Sequence, residues 1–355
     1  MRSLDTLVRA NIRDLEPYST ARDEYSGGNI EVWLDANENP YDNGVNRYPD
    51  PHQRELKALL SRIKGVPASQ IFVGNGSDEA IDLAFRVFCT PGRDNAISIA
   101  PTYGMYGVAA ATNDVELRTV QLAEDFALPV GELLAAADDN TKLLWLCSPN
   151  NPTGNAFPRA DIERLLNEFG GIVVLDEAYI DFADDGGFLP VLERYPNLII
   201  LQTLSKAWGM AGLRLGLAFA SEEIAGYFAR VKYPYNIGCL TQQAVIRRLQ
   251  DDIAPQVAEI REQRRLLAAA LAECPAIERV YPSQANFLLV RTPDPDGLYD
   301  ALVERGVIVR NRSRVRGCEG CLRITVGTPA ENLRTIETIE EYGRPAAAYK
   351  DMTKR

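Results

Sequence analysis

The first residue whose setting suggests chemistry is a lysine just past an apolar run. Thr203-Leu204-Ser205-Lys206 follows the run 198–201. At the end of a buried strand an ammonium loses hydration, its proton affinity falls, and the neutral amine can form an imine with a carbonyl. Ser205 offers a hydroxyl to an anion. Arg214, behind the small residues Ala211-Gly212-Leu213, can clamp a phosphate with two parallel N–H bonds.

Four more segments carry groups suited to one flat, phosphorylated ligand. Asp176-Glu177-Ala178-Tyr179 ends the apolar run 172–175, and in open α/β sheets ligands bind outside the carboxyl ends of strands. A carboxylate there can pair with a protonated pyridine nitrogen and make the ring a better electron sink. Tyr179 can donate to a ring oxygen, as can Asn151 in the loop Ser148-Pro149-Asn150-Asn151-Pro152-Thr153-Gly154. Gly74-Asn75-Gly76-Ser77-Asp78-Glu79 reads as a strand-to-helix turn, whose N–H groups form an anion site. It is neither a dinucleotide fingerprint, since Glu79 stands at the last glycine position, nor a phosphate loop ending in Gly-Lys-Ser/Thr. Tyr103, in Pro101-Thr102-Tyr103-Gly104, can stack on a ring. Singly, each has an ordinary structural use: surface lysine, helix cap, loop, turn or core tyrosine.

Composition removes competing chemistries. His52 is the only histidine and no G-x-S-x-G elbow exists, so hydrolase triads and histidine-rich zinc sites have little to stand on. The cysteines are scattered apart from Cys318-x-x-Cys321, which lacks the second pair a zinc ribbon needs. A net charge of −11 argues against nucleic acid as partner, the basic run 305–316 being a local exception. No run approaches the ~20 apolar residues that span a bilayer. The mixed-charge opening, with Arg2, Asp5, Arg9, Arg13 and Asp14, is unlike a secretory signal. These features lead to the expectation of a cytoplasmic enzyme.

The elements that must position these residues follow from periodicity. Apolar strands are expected at 71–73, 96–100, 143–147, 172–175, 198–201 and 215–220, with helical patterns between several of them, as at 56–63, 81–88 and 162–169. Continuous apolar strands alternating with helices indicate a mostly parallel sheet covered on both faces. From about Thr241 the pattern changes. One long helical stretch to about Cys274 precedes a strand at 287–291, a helix at 298–305, strands near 307–310 and 322–326, and a last helix from about Ala330. The expected organisation is an N-terminal arm (1–30) packed with the small domain, a large domain (31–240), and a small α+β domain (241–355) ending in a frayed tail from 344.

Taken together and in order, SPNNPTG (148–154), DEAY (176–179) and TLSKAWGMAGLRLG (203–216) resemble the class I and II aminotransferases, pyridoxal-5′-phosphate (PLP) enzymes of fold type I. The resemblance runs from about Leu34 to Thr328. It implies Lys206 as the Schiff-base lysine, Asp176 on the pyridine nitrogen, Asn151 and Tyr179 on the ring oxygen and Tyr103 over the ring. Ser77, Asp78, Ser205 and Arg214 would surround the cofactor phosphate. More narrowly, LDANENP (34–40), NRYP (46–49), PTYGMY (101–106) and GCLRITVGT (320–328) are similar to the histidinol-phosphate aminotransferase family. That likeness implies L-histidinol phosphate and 2-oxoglutarate as substrates, and a homodimer with shared sites in which Tyr48 reaches the neighbouring subunit's cofactor phosphate. It implies Arg310 and Arg323 on the substrate phosphate and Tyr18 closing over the substrate, with Asn37 and Tyr106 as further candidates near the imidazole. Arg312, Arg314 and Arg316 either widen that positive field or form a solvated loop. Aromatic amino-acid aminotransferases and threonine-phosphate decarboxylases are the nearest alternatives.

Overall fold

The computed structural model describes residues 2–20 and 31–343. The expected tail and residues 21–30 of the expected arm lie outside the described residues. Seven strands form the larger sheet: β1 (Ile71–Asn75), β2 (Asn95–Ala100), β3 (Glu116–Gln121), β4 (Thr141–Cys147), β5 (Ile172–Asp176), β6 (Leu198–Thr203) and β7 (Leu215–Phe219). Their spatial order is β1-β7-β6-β5-β4-β2-β3, parallel from β3 through β6, with β7 antiparallel to both β6 and β1. Strands β4 to β7 are buried along their whole length. This accounts for their uninterrupted apolar runs, since helices cover both faces of a parallel sheet. Polar, half-exposed β3 lies at the sheet edge and shows no such run, which is why no strand was expected there.

A second, antiparallel sheet has the order β10-β11-β9-β8, from β8 (Arg279–Val280), β9 (Phe287–Arg291), β10 (Arg310–Asn311) and β11 (Cys321–Thr325). Its own core includes Leu271, Leu288, Leu298, Leu322 and Ile339. The expected single helix over 241–274 is two helices, Cys239–Arg248 and Ala254–Ala272. The break falls where the Asp252 carboxylate accepts from Ala254 N at 2.9 Å and Pro255 occupies the first turn of the second helix, both of which start a helix rather than continue one.

The arm also departs from expectation. Its described part packs on the large sheet's helices, not on the small domain. Leu7, Val8 and Ile12 join the buried cluster containing Ile81, Phe85 and Phe88. Arg9 N donates to Val87 O at 2.9 Å, and Arg2 Nε to Gly170 O at 3.0 Å. The apolar outer face of helix Ser77–Phe88 would otherwise meet water, and each large side chain buried there contributes about 1.5–3 kcal/mol. Cys318 and Cys321 are buried with Phe126, Tyr281 and Leu289, and burial pushes the Cys318 thiol up to about 12. Among the described residues, no helix is long and apolar enough to cross a membrane.

Candidate active site

Parallel strands bring their carboxyl ends to one rim. Cys147 ends β4, Asp176 ends β5 and Thr203 ends β6, and all three line a cavity of about 430 Å³. Ser77, Asp78, Tyr103, Asn151, Tyr179, Ser205, Lys206 and Arg214 line it too, while Arg310, Arg312 and Arg323 enter from the small sheet. Segments more than 240 positions apart in sequence thus meet over one volume.

Lys206 lies 5.8 Å from the Tyr179 ring centre. Its proton affinity is lowered, first by burial and then by the nearby positive charges of Arg323 and Arg214. That favours the neutral amine needed for imine chemistry. Asp176 is 3% exposed and burial pushes its carboxyl up to about 6. Two donors hold its orientation: Tyr106 Oη at 2.7 Å and Ala178 N at 3.1 Å. Its neighbour Glu177 points the other way. It accepts from Phe188 N at 2.7 Å and Gln202 Nε2 at 3.1 Å, and so fixes the loop behind the sheet.

The turn before helix Ser77–Phe88 is shaped by two glycines. Gly76 has φ +73°, and a Cβ there would lie 2.7 Å from Arg214 Nη2; a Cβ on Gly216 would lie 2.1 Å from Ser77 N. Strand β7 can therefore approach the helix N-terminus only without a side chain at 216. Gly76 N donates to Arg214 O at 2.9 Å, Arg214 Nη2 lies 3.8 Å from Asp78 Oδ2, and Tyr103 Oη donates to Asp78 Oδ1 at 3.1 Å. Free N–H groups, a guanidinium and the Ser77 and Ser205 hydroxyls make a phosphate cradle.

Across the cavity, Arg310 and Arg323 sit directly opposite each other on antiparallel β10 and β11. Arg323 Nη1 donates to Asn151 Oδ1, which leaves the amide NH₂ of Asn151 as the donor end. The loop carrying Asn151 is braced by Asn150, whose Nδ2 donates to Pro101 O at 2.9 Å and to Thr153 Oγ1 at 2.7 Å, while Thr102 Oγ1 donates to Asn150 Oδ1 at 2.7 Å. This buried network ties the loop of Asn151 to that of Tyr103.

These groups fit a phosphorylated pyridine aldehyde. The cradle matches its phosphate, and Lys206 matches its carbonyl. Buried Asp176, with no lysine or arginine paired to it among the described residues, matches a protonated ring nitrogen. A model of the family "Aminotransferase class I and II" matches residues 21–339. The chain belongs to that family. Its cofactor is PLP. A histidinol-phosphate aminotransferase of Bacteroides fragilis (strain YCH46) is 55% identical over 344 residues, covering 96% of this chain and 100% of the relative. One of Cytophaga hutchinsonii is 52% identical over 346 residues, covering 96% and 99%. The solved histidinol-phosphate aminotransferase of Sinorhizobium meliloti in complex with pyridoxal-5′-phosphate superposes with a TM-score of 0.76 at 26% identity, covering 84% of this chain and 83% of that one.

In this aminotransferase three expected residues do not reach the cavity of their own chain. Tyr18 is 74% exposed, Asn37 is exposed with φ +55°, and Tyr48 is half-exposed, stacked on Tyr235 at 4.4 Å. Tyr106 is placed differently from its expected setting near the substrate. It is buried, stacked on Trp145 at 4.9 Å, and its hydroxyl is committed to Asp176. Of the three loop arginines only Arg312 lines the cavity; Arg314 and Arg316 are exposed. Strand alternation from Arg310 reaches Arg314 and Arg316 as well as Arg312, so spacing does not single out Arg312.

Proposed function

We propose that this aminotransferase exchanges an amino group between L-histidinol phosphate and 2-oxoglutarate, giving imidazole-acetol phosphate and glutamate, a step of L-histidine biosynthesis. One observation carries the substrate: Arg310 and Arg323 face each other on the cavity wall supplied by the small sheet, separate from the cradle of Ser77 and Arg214. A cofactor with one phosphate occupies the cradle and leaves the second pair of cations for a second anion. The names of the relatives point the same way.

PLP, when bound, supplies a conjugated ring that accepts the electron pair left on the substrate α-carbon. The chain's residues do the rest. Lys206 would hold the cofactor through its carbonyl, and its Nζ would take the α-carbon proton and give one back. Asp176 keeps a proton on the ring nitrogen, and Tyr106 and Ala178 N keep Asp176 aimed. Asn151 and Tyr179 donate to the ring oxygen, and Tyr103 covers the ring. Ser77, Asp78, Ser205 and Arg214 anchor the phosphate end.

The same reading makes the enzyme a cytoplasmic homodimer with a large domain (31–240) and a small domain (241–355). Tyr48 would complete the partner's phosphate cradle, with Tyr18 and Asn37 closing the substrate side. Val32, Leu34, Tyr41 and Val45 are each more than half exposed, and a stretch this apolar suits cover by a second copy.

The test is a half-reaction titration. The PLP-loaded enzyme is mixed with L-histidinol phosphate or with L-phenylalanine, and conversion of the cofactor band to the pyridoxamine band is followed. Conversion at low histidinol phosphate, with phenylalanine required at far higher concentration, is expected. Equal or better conversion by phenylalanine would leave an aminotransferase of different substrate, and carbon dioxide release in place of glutamate formation would point to a decarboxylase.

A further inference from the structure

The cationic wall holds more charge than two anchors. Arg312 N donates to Cys321 O at 2.9 Å, continuing the β10–β11 pairing by one residue. Side chains two apart on a strand share a face, so Arg310 and Arg312 project together, with Arg323 opposite Arg310. All three line the cavity. Burial, then Arg323 and Arg310, lowers the proton affinity of Arg312. Among the described residues no carboxylate forms an ion pair with any of the three, and the Nε of Arg312 and of Arg323 is buried with no hydrogen-bond partner.

Such an arrangement is costly to the fold. Like charges on facing strand positions repel, and a buried donor without an acceptor loses its water. Arg310 is exposed at the cavity mouth, but a loop that merely needed solubility would turn Arg312 outward too, as it does Arg314 and Arg316. An anion in the cavity would offset the cost. A carboxylate has one charge and two oxygens, which one guanidinium fork satisfies. A phosphate monoester has up to two charges and three terminal oxygens, enough acceptors for a third guanidinium.

We propose that Arg312 is a specificity-determining residue: it makes the site demand a dianionic phosphate monoester over a substrate whose anionic group is a carboxylate. With a carboxylate in place Arg312 stays half-buried and its Nε unpaired, which selects against that class. The inference rests on the phosphorylated-substrate reading above.

The test uses the PLP-loaded enzyme, Arg312→Gln, Arg312→Met and, as control, the exposed Arg314→Gln. Initial rates are measured with L-histidinol phosphate, unphosphorylated L-histidinol and L-phenylalanine. In both Arg312 variants KM for histidinol phosphate should rise ~10–100-fold, the scale of a lost charged hydrogen bond, with kcat little changed. The constants for L-histidinol and phenylalanine should hold or improve. Wild-type KM for the phosphate ester should rise as pH falls through the second phosphate ionisation near ~6, and this rise should flatten in the Arg312 variants. Arg314→Gln should match wild type. A wild-type enzyme with no preference for the phosphorylated substrate would sink the substrate reading and this inference with it. A wild-type preference kept intact in both Arg312 variants, or rates falling equally for all three substrates, would overturn the inference alone. Arg312→Met keeps the apolar stem, so the test survives if the glutamine variant fails to load cofactor.

Discussion

Asp176 shows how a single residue is kept poor for stability and good for chemistry. Its carboxyl is pushed up to about 6 by burial, against an unfolded value near ~3.9. The folded apoprotein therefore binds the extra proton, and the penalty of the charged form is absent below about pH 4, grows between about 4 and 6, and is full above about 6. Two pKa units correspond to roughly 3 kcal/mol. Asparagine can still accept from Ala178 N and meet the Tyr106 hydroxyl. The Asp176→Asn apoprotein should thus be more stable than wild type at pH 8 by up to roughly 3 kcal/mol, a gain that vanishes toward pH 4, as read by denaturant titration at both pH values. Its kcat should fall on the order of 10²-fold or more, because an amide cannot hold the ring proton. An apoprotein no more stable at pH 8 would mean that Asp176 is not strained by burial.

At the scale of elements, the proposed phosphate cradle depends on how closely β7 meets the start of helix Ser77–Phe88. That approach is set by Gly216, where a Cβ would lie 2.1 Å from backbone. Backbone cannot swing aside as a long side chain can, so Gly216→Ala must separate strand and helix. The expected cost is about 1–3 kcal/mol of stability, with a larger proportional loss of PLP affinity, because Ser77 and Arg214 move apart together. Thermal unfolding of the apoprotein and a PLP titration separate the two effects. Unchanged PLP affinity would show that the cradle does not rely on this contact. The strand-to-helix turn between Gly74 and Glu79 was legible from its glycines. The partner that shapes it, 140 positions later in the chain, was not.

For the whole molecule, the question is whether one chain holds a complete site. Tyr48 lies outside the cavity of its own chain, stacked on Tyr235. If the homodimer reading holds, Tyr48→Ala on one subunit and Lys206→Ala on the other fall in the same site of a mixed dimer, and the other site of the heterodimer is whole. Co-refolding the two weak variants should restore activity well above either alone, with sedimentation showing a dimer. No gain on mixing, with dimers present, would remove Tyr48 from the partner's site.

The sequence by itself singled out the residues that the structure gathers around one cavity. Lys206, Asp176, Asn151, Tyr179 and Arg214 stand at strand ends and loops whose apolar runs and glycines are read locally, and the cavity collects all of them. It also determined the buried parallel strands, because a strand covered on both faces leaves a continuous apolar run. It did not show edge strand β3, whose polar, half-exposed residues resemble a loop. Nor did it show the break at Asp252 within one helical pattern, or the docking of the arm on helix Ser77–Phe88. Only the tertiary structure decided those, and with them the commitment of Tyr106 to Asp176 and the inward turn of Arg312 beside exposed Arg314. Each depends on which surface a side chain meets across the fold, and spacing along a chain carries no record of that.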